Sequence, residues 1–550
     1  MKKGDEEVGG GGVLHRLWGT RGHPAGAGVG QHAAGVWLWL LAITAVALVL
    51  RVAGLGAVFD SSDECELAYR ILKNPGWGWM LDEPYGLVIS AVVKLFAGFA
   101  SALGVTMTEL VWKLPVALAG AAQPAVTYAL LRRLGGGRAA GLWGAGLMAV
   151  LPAHVDQSRY LWGYETLGLL CLSAALWALA RFYERPEWGR GLGASLAIAV
   201  YLVSHGYIVP FAPCLLAAAW LLYEGEERGP WRRAWAGLRL LIVKGVWVLP
   251  LLAAPLCRAA LLHTWRKPSQ PGFYLLDHLG DYVSGGGVLL GALAGVAAVV
   301  GLAGWKSRGR GAALLGLCGA FYAAPLVFGA PPGITVVSGY LLLTLGLWAG
   351  ALGLMAGRLA SRWPGAVRVA GAVVVVVTLW GDVNAVFAGG RWRDPNRVVF
   401  TRGGTERDPG TKAAAWLVRT YCPDAKVLAI HRSVEPPCLY YYFGLDRMSF
   451  YDLPLEAPGR VARPGRVRDT REALKRFYMG ADIVLCEPGQ AGWVEATGRF
   501  ERRVTLTSGG ERRMLVFARP GSSLPDLSET DTARLNRAFD RDFAPKAPLR

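Results

Sequence analysis

AAGVWLWLLAITAVALVLRV, residues 33–52, holds one charged residue, Arg51, in a run of twenty. A helix of that length rises about 30 Å, the thickness of a bilayer's hydrocarbon core. The polar start before it (MKKGDEEVGGGG, then HRLWGTRGH) is too long, and too basic at its end, for a cleaved signal. The run therefore reads as an uncleaved signal-anchor. Similar windows recur at 110–131, 139–153, 166–180, 192–204, 207–222, 238–256, 288–303, 312–328, 334–356 and 367–387. They predict about eleven membrane-spanning helices. Segment 85–104 is also apolar, but it follows Pro84 and contains Lys94, and it reads as interfacial.

Composition agrees with this reading. The chain of 550 residues is 53% hydrophobic and 18% charged, against roughly a quarter charged in soluble proteins. Its net charge of +18 is carried by 58 Lys and Arg against 40 Asp and Glu. The basic residues are spread over short loops, which excludes a nucleic-acid surface and matches a positive-inside bias. RRLGGGR (132–138), RFYERPEWGR (181–190), EGEERGPWRR (224–233), WKSRGRG (305–311) and GRLASRW (357–363) all fall on one side if segment 85–104 does not cross. That side, with the N-terminal tail 1–32, is expected to be cytoplasmic. Loops 57–84, 154–165 and 261–286 then lie outside, as does everything after residue 389. Eight cysteines without a CxxC pair give no metal-cluster framework.

From 390 on, charges become frequent and long apolar runs stop. TKAAAWLVRTY and TREALKRFY read as helices, KVLAI and DIVLC as buried strands, and FERRVTLTS with RRMLVFARP as an alternating pair. The expectation is an α/β domain over 390–519 and a mobile tail over 520–550. DRD at 540–542 has the spacing of a metal-binding pair but falls in that tail. Cys422 and Cys438 lie in a compartment that permits a disulfide, though sequence does not show that they meet.

The candidate site residues are ionisable groups at the outer face. In VFDSSDECELAYRILKNPGWGWMLDEPYG (58–86), Ser61 and Glu64 have capping-box spacing, which starts a helix and puts Asp63 in its first turn. A carboxylate held there is placed to act as general base on an acceptor. Asp82 and Glu83, taken alone, read as loop charges. In LPAHVDQSRYLWGYET (151–166), His154, Asp156, Arg159 and Glu165 come together. Arg159 offers a planar fork of donors suited to phosphate. Glu165 opens the next span and needs a partner. His263, Arg266 and Lys267 form a basic group in the third loop that would attract an anionic head group or simply anchor a span.

This order of features, DSSDECELAYRIL, then DEPYGLVISAVVKLF, then LPAHVDQSRYLWGYETLGLLCLSAALWALARF, resembles the GT-C superfamily of integral-membrane glycosyltransferases. The likeness is to the branch of protein O-mannosyltransferases (glycosyltransferase family 39) and of the aminoarabinose transferases that modify lipid A. It covers residues 33–225 in motif and the whole chain in layout, with 33–389 as the transmembrane catalytic domain. The resemblance implies transfer, usually inverting, of a sugar from a polyprenyl-phosphate carrier to an acceptor on the outer face. It implies Asp63 as the catalytic Asp of the first-loop acidic pair, with Glu64 beside it, and Glu165 or Asp156 as the second-loop carboxylate. Glu83 falls where relatives have an acidic residue before Pro, with an acceptor or metal role. A divalent metal stays open on sequence. Arg159, Arg266, Lys267 and His263 are the expected contacts for the donor phosphate. The alternative is a transporter or flippase of lipid-linked sugars, which predicts paired inverted repeats; none is apparent in the sequence.

Overall fold

The computed structural model describes residues 29–53, 62–74, 87–161, 163–205, 208–225, 229–246, 309–328, 336–366, 409–430, 441–443, 448–451, 480–508 and 511–543, with a few single positions between them. The first part is helical: α1 (Val29–Val52), α2 (Ser62–Lys73), α3 (Leu87–Ala102), α4 (Glu109–Arg133), α5 (Arg138–Ala149), α6 (Pro152–Gln157), α7 (Tyr164–Glu184), α8 (Trp188–His205), α9 (Ile208–Leu222), α10 (Pro230–Leu241), α11 (Arg310–Phe328) and α12 (Val336–Arg362).

Among the described residues, four helices are long and apolar enough to cross a membrane: Gly35–Val52, Glu109–Arg133, Tyr164–Glu184 and Leu342–Ala360. Shorter apolar helices cover Leu87–Ala102, Pro210–Leu222 and Arg310–Ala324. The expected span at 288–303, and most of those at 238–256 and 367–387, lie outside the described residues. The expected span 139–153 differs: α5 is a 12-residue helix that stops before Pro152 restarts the chain as α6. At about 18 Å it is shorter than a bilayer core.

α4 lies at the centre, packed on α1, α3, α5 and α7. The small residues of GLWGAG (141–146) serve close packing: a Cβ on Gly353 of α12 would stand 2.6 Å from the Cα of Gly144. Without side chains at those two positions, the α5 and α12 backbones approach directly.

The C-terminal part forms a mixed six-stranded sheet in the order β2-β1-β3-β5-β4-β6, with α13 (Pro409–Tyr421) and α14 (Thr532–Phe543) packed on each other and on the sheet. The strands are β1 (Val427–Ile430), β2 (Met448–Tyr451), β3 (Ile483–Cys486), β4 (Glu501–Ser508), β5 (Glu511–Ala518) and β6 (Leu527–Asp531). β3 is buried throughout, as the uninterrupted apolar run IVLC requires. The β4–β5 pair is antiparallel, as the alternation at 501–518 predicts. Residues 527–543, by contrast, are ordered as β6 and α14 where an unstructured tail was expected from 520. The reason is an apolar stripe, Leu535 and Phe539, buried against α13. The expected helix TREALKRFY lies outside the described residues. Cys422 is a free thiol beside the hydroxyls of Ser522 and Ser523; Cys438 lies outside the described residues.

One apolar cluster runs from Leu67, Trp112 and Leu161 of the helical part to Ala413, Leu417 and Phe539 of the sheet domain. Inside it, the buried Lys412 ammonium pairs with Glu109 at the start of α4 at 2.7 Å and with Asp540 of α14 at 2.6 Å. Tyr442 donates its hydroxyl to Glu109 at 3.0 Å, and Trp112 Nε1 donates to Tyr441 at 3.0 Å. DRD is therefore committed to docking: Asp540 holds Lys412, and Asp542 accepts from Trp416 Nε1 at 2.9 Å.

Burial, and then the neighbouring Glu109, push the Asp540 carboxyl up to about 6 despite Lys412. A carboxyl raised in the docked state favours docking fully below its free value of 3.8, and that contribution is lost as pH rises through about 6. Proteolytic release of the C-terminal domain from the detergent-solubilised chain should therefore become faster across this window, and Asp540→Asn should flatten the dependence. Lys412→Met leaves buried carboxylates uncompensated and should cost about 3–5 kcal/mol, read as a lower unfolding temperature.

Candidate active site

The first turn of α2 carries Ser62, Asp63 and Glu64. Glu64 is fully buried. Its Oε1 accepts the backbone N–H of Leu161, and its Oε2 lies 3.5 Å from the Lys113 ammonium of α4, itself buried. A buried carboxylate without such partners would cost several kcal/mol. Glu64 thus fastens the start of α2 both to α4 and to the loop between α6 and α7. Asp63 is its neighbour in the same turn.

α6 and the loop after it are fastened in turn to the end of α1. The Arg51 guanidinium is fully buried: Nη1 donates to the carbonyls of Ala47 (2.9 Å) and Ala149 (3.0 Å), Nη2 to Met148 O (3.4 Å), and Nε to Ser158 Oγ (3.3 Å). Nη2 also lies 2.6 Å from His154 Nδ1. Burial, and then Arg51, hold the His154 imidazole well below its usual value, so it is neutral and accepts this bond. Gly120 of α4 permits the approach, since a Cβ there would stand 2.5 Å from Ser158 Cβ and 3.0 Å from Arg51 Nε.

Arg159 Nη1 donates to Leu50 O (2.9 Å), Ala53 O (2.7 Å) and Arg51 O (3.4 Å). These are carbonyls at the C-terminal end of α1, where a cation also meets the negative end of the helix dipole. The residue proposed from sequence as a phosphate contact therefore caps a helix through its Nη1. Glu165 is buried in the first turn of α7, where the dipole favours its charge, and Asp156 is half-buried on α6. Lys94 of α3 reaches back to the carbonyls of Asn74 (2.9 Å) and Gly76, and lies 5.1 Å from the Trp77 ring centroid. It closes the segment between α2 and α3.

The structure thus brings Glu64, Asp156, Arg159 and Glu165 into one neighbourhood around the 154–165 loop. The side chain of Asp63, the N-cap Ser61, and Glu83, His263, Arg266 and Lys267 lie outside the described residues. Among the described residues, no group of three or more His, Cys, Asp or Glu side chains is arranged to hold a metal ion. Sequence reasoning passed over Arg51 and Lys113, because each is a lone charge in an otherwise apolar window. That exception was itself the signal, since a charge within a membrane span needs a partner.

Residues 88–253 match the family model of the dolichyl-phosphate-mannose-protein mannosyltransferases. No curated protein sequence matches the chain. Among solved structures, ArnT from Cupriavidus metallidurans, bound to undecaprenyl phosphate, superposes with a TM-score of 0.56 at 16% identity, over 90% of this chain and 99% of that one. The Archaeoglobus fulgidus oligosaccharyltransferase in complex with zinc and sulfate gives 0.52 at 12% identity, over 83% and 69%. The architecture built up above, apolar helices followed by a C-terminal sheet domain, is thus similar in fold to these two solved structures.

Proposed function

We propose that this protein is a membrane glycosyltransferase that moves a sugar from a polyprenyl-phosphate-linked donor to an acceptor on the extracytoplasmic face. The observation that carries the reading is the fastening of the acidic first turn of α2 to the second loop by Glu64, Lys113 and Leu161. It holds a carboxylate-bearing turn rigidly where two loops meet, next to apolar helices that a lipid carrier can approach. The match to a mannosyltransferase family model supports a glycosyl transfer. The undecaprenyl phosphate bound to ArnT supports a polyprenyl carrier.

In the proposed step, Asp63 takes the proton of an acceptor hydroxyl or amine, and the acceptor heteroatom attacks the anomeric carbon. The bond from that carbon to the phosphate oxygen breaks, its electron pair leaves with the polyprenyl phosphate, and displacement inverts the configuration. A phosphate leaving group needs cations and no general acid. Arg266, Lys267 and His263 are assigned to that charge, together with Arg159. Glu165 and Asp156 are assigned to orienting the acceptor, and Glu83 to an acceptor or divalent-metal contact. The basic helix ends face the cytoplasm in this scheme, and the sheet domain faces outward beside the site.

Asp63→Asn, reconstituted with a polyprenyl-phosphate sugar and an envelope acceptor extract, should lower transfer by at least about two orders of magnitude while leaving the unfolding temperature unchanged; normal transfer would overturn the assignment. In cells lacking the protein, the donor should accumulate on the outer leaflet and an envelope modification should be lost. Donor trapped on the cytoplasmic leaflet would instead support a flippase. The fastening is tested apart from the chemistry. Lys113→Met alone should cost about 3–5 kcal/mol of stability by stranding the Glu64 charge. Adding Glu64→Gln should recover most of it, because an amide oxygen still accepts from Leu161.

A further inference from the structure

α10 has the sequence PWRRAWAGLRLL and is followed by a π-helical turn over Ile242–Val246. The loop 224–233 and the apolar run 238–256 were expected to be a cytoplasmic connection and a span. Residues 230–246 form one helical segment at the end of the bundle, and the rest of that expected span, 247–256, lies outside the described residues. Tyr183, next to last in α7, donates its hydroxyl to Gly237 O at 3.3 Å. A Cβ on Gly237 would stand 3.1 Å from Tyr223 and 3.2 Å from Ala219, at the end of α9. Seven residues on, Lys244 donates to Pro186 O, and its carbonyl lies 2.6 Å from the Cβ position of Gly191, in the first turn of α8. A helix entering the bilayer upright would sink about 10 Å over seven residues. Here Gly237 meets the ends of α7 and α9, and Gly245 meets α8 at Gly191 and at Ser195 in its second turn, so the segment crosses the bundle's end obliquely. The ion pairs Arg133–Glu184 (2.7 Å) and Arg310–Glu224 (3.3 Å) mark the same end.

The faces of α10 are separated by chemistry. Ala234, Gly237 and Leu241 are buried against the bundle. Trp231, Trp235 and Ile242, spaced to form one stripe, are 70%, 61% and 46% exposed. Arg232 and Arg239, two turns apart, form the adjoining stripe; both are exposed, and neither has an ion-pair partner among the described residues. Trp188, 54% exposed, opens α8 at the same end. Exposed indoles beside guanidinium groups, at the level of the helix ends, suit the boundary between acyl chains and head groups.

We propose that α10 is a membrane-surface recognition helix that selects anionic phospholipid: Trp231 and Trp235 insert at the acyl boundary while Arg232 and Arg239 bind the head-group phosphate. Selection follows from the charge, since each arginine at an anionic surface favours binding by about fivefold. The proposal is independent of the transfer reaction.

The full chain is placed in phosphatidylcholine nanodiscs doped with photoactivatable phosphatidylglycerol or, separately, photoactivatable phosphatidylcholine, and adducts are mapped by peptide mass spectrometry. Segment 230–246 should be labelled preferentially by phosphatidylglycerol. Arg232→Gln with Arg239→Gln should reduce that preference by on the order of tenfold or more, the lysine pair should restore it, and high salt should weaken it. Both positions are exposed, so the unfolding temperature should not change. Equal labelling by the two lipids, a preference that survives the glutamine pair, or crosslinks to a second protein copy in place of lipid would each overturn it.

Discussion

Two charges of opposite sign, one helical turn apart near the start of α4, join the parts of this protein. Lys113 faces the first loop and holds Glu64; Glu109 faces the sheet domain and is held by Lys412. All four side chains are buried. Between them Trp112 fills the apolar cluster and donates its indole N–H to Tyr441. Charges buried this deeply are destabilising when unmatched. Alternative placements of α2 or of the sheet domain on the bundle are therefore strongly disfavoured. The i, i+4 spacing gives α4 one polar turn that addresses two partners.

Further from this junction, backbone carbonyls take over from carboxylates. Arg51 and Arg159 tie the end of α1 to the end of α5 and to the turn after α6, mainly through carbonyl oxygens and Ser158. Helix ends always leave such oxygens unpaired, and at the edge of a bilayer water is scarce. Two arginines, each with five donors, satisfy a cluster of them and tie α1 to α6. α6, which carries Asp156, and the turn after it are thereby fixed to α1.

Much of this was legible in the sequence because hydrophobic periodicity is a one-dimensional signal. The spans at 33–52, 110–131 and 166–180, the strands KVLAI and DIVLC, and the pairing of 501–508 with 511–518 all follow from local pattern. What escaped depends on distant partners. Lys113 looks like a flaw in an apolar helix until Glu64 is set beside it, and Asp540 looks like a surface charge until Lys412 arrives from 128 residues away. The apolar stripe of α14 is narrow, Leu535, Phe539 and Phe543, and faint against the polar residues around it. The run at 139–153 was misjudged in length because Pro152 permits a new helix start as readily as a loop.

Asp540 sits in the last described helix of the chain. A ribosome feeding this protein into the membrane therefore inserts α4, with Glu109 at its start, hundreds of residues before the carboxylate that completes the cluster has been made. Lys412 emerges in between and can pair with Glu109 alone. The sheet domain is thus expected to dock first in a partial form and to be locked only once α14 has been made, so that the junction is completed long after α4 has been inserted. A nascent chain stopped short of α14 would expose the apolar faces of α13, a ready mark for quality control.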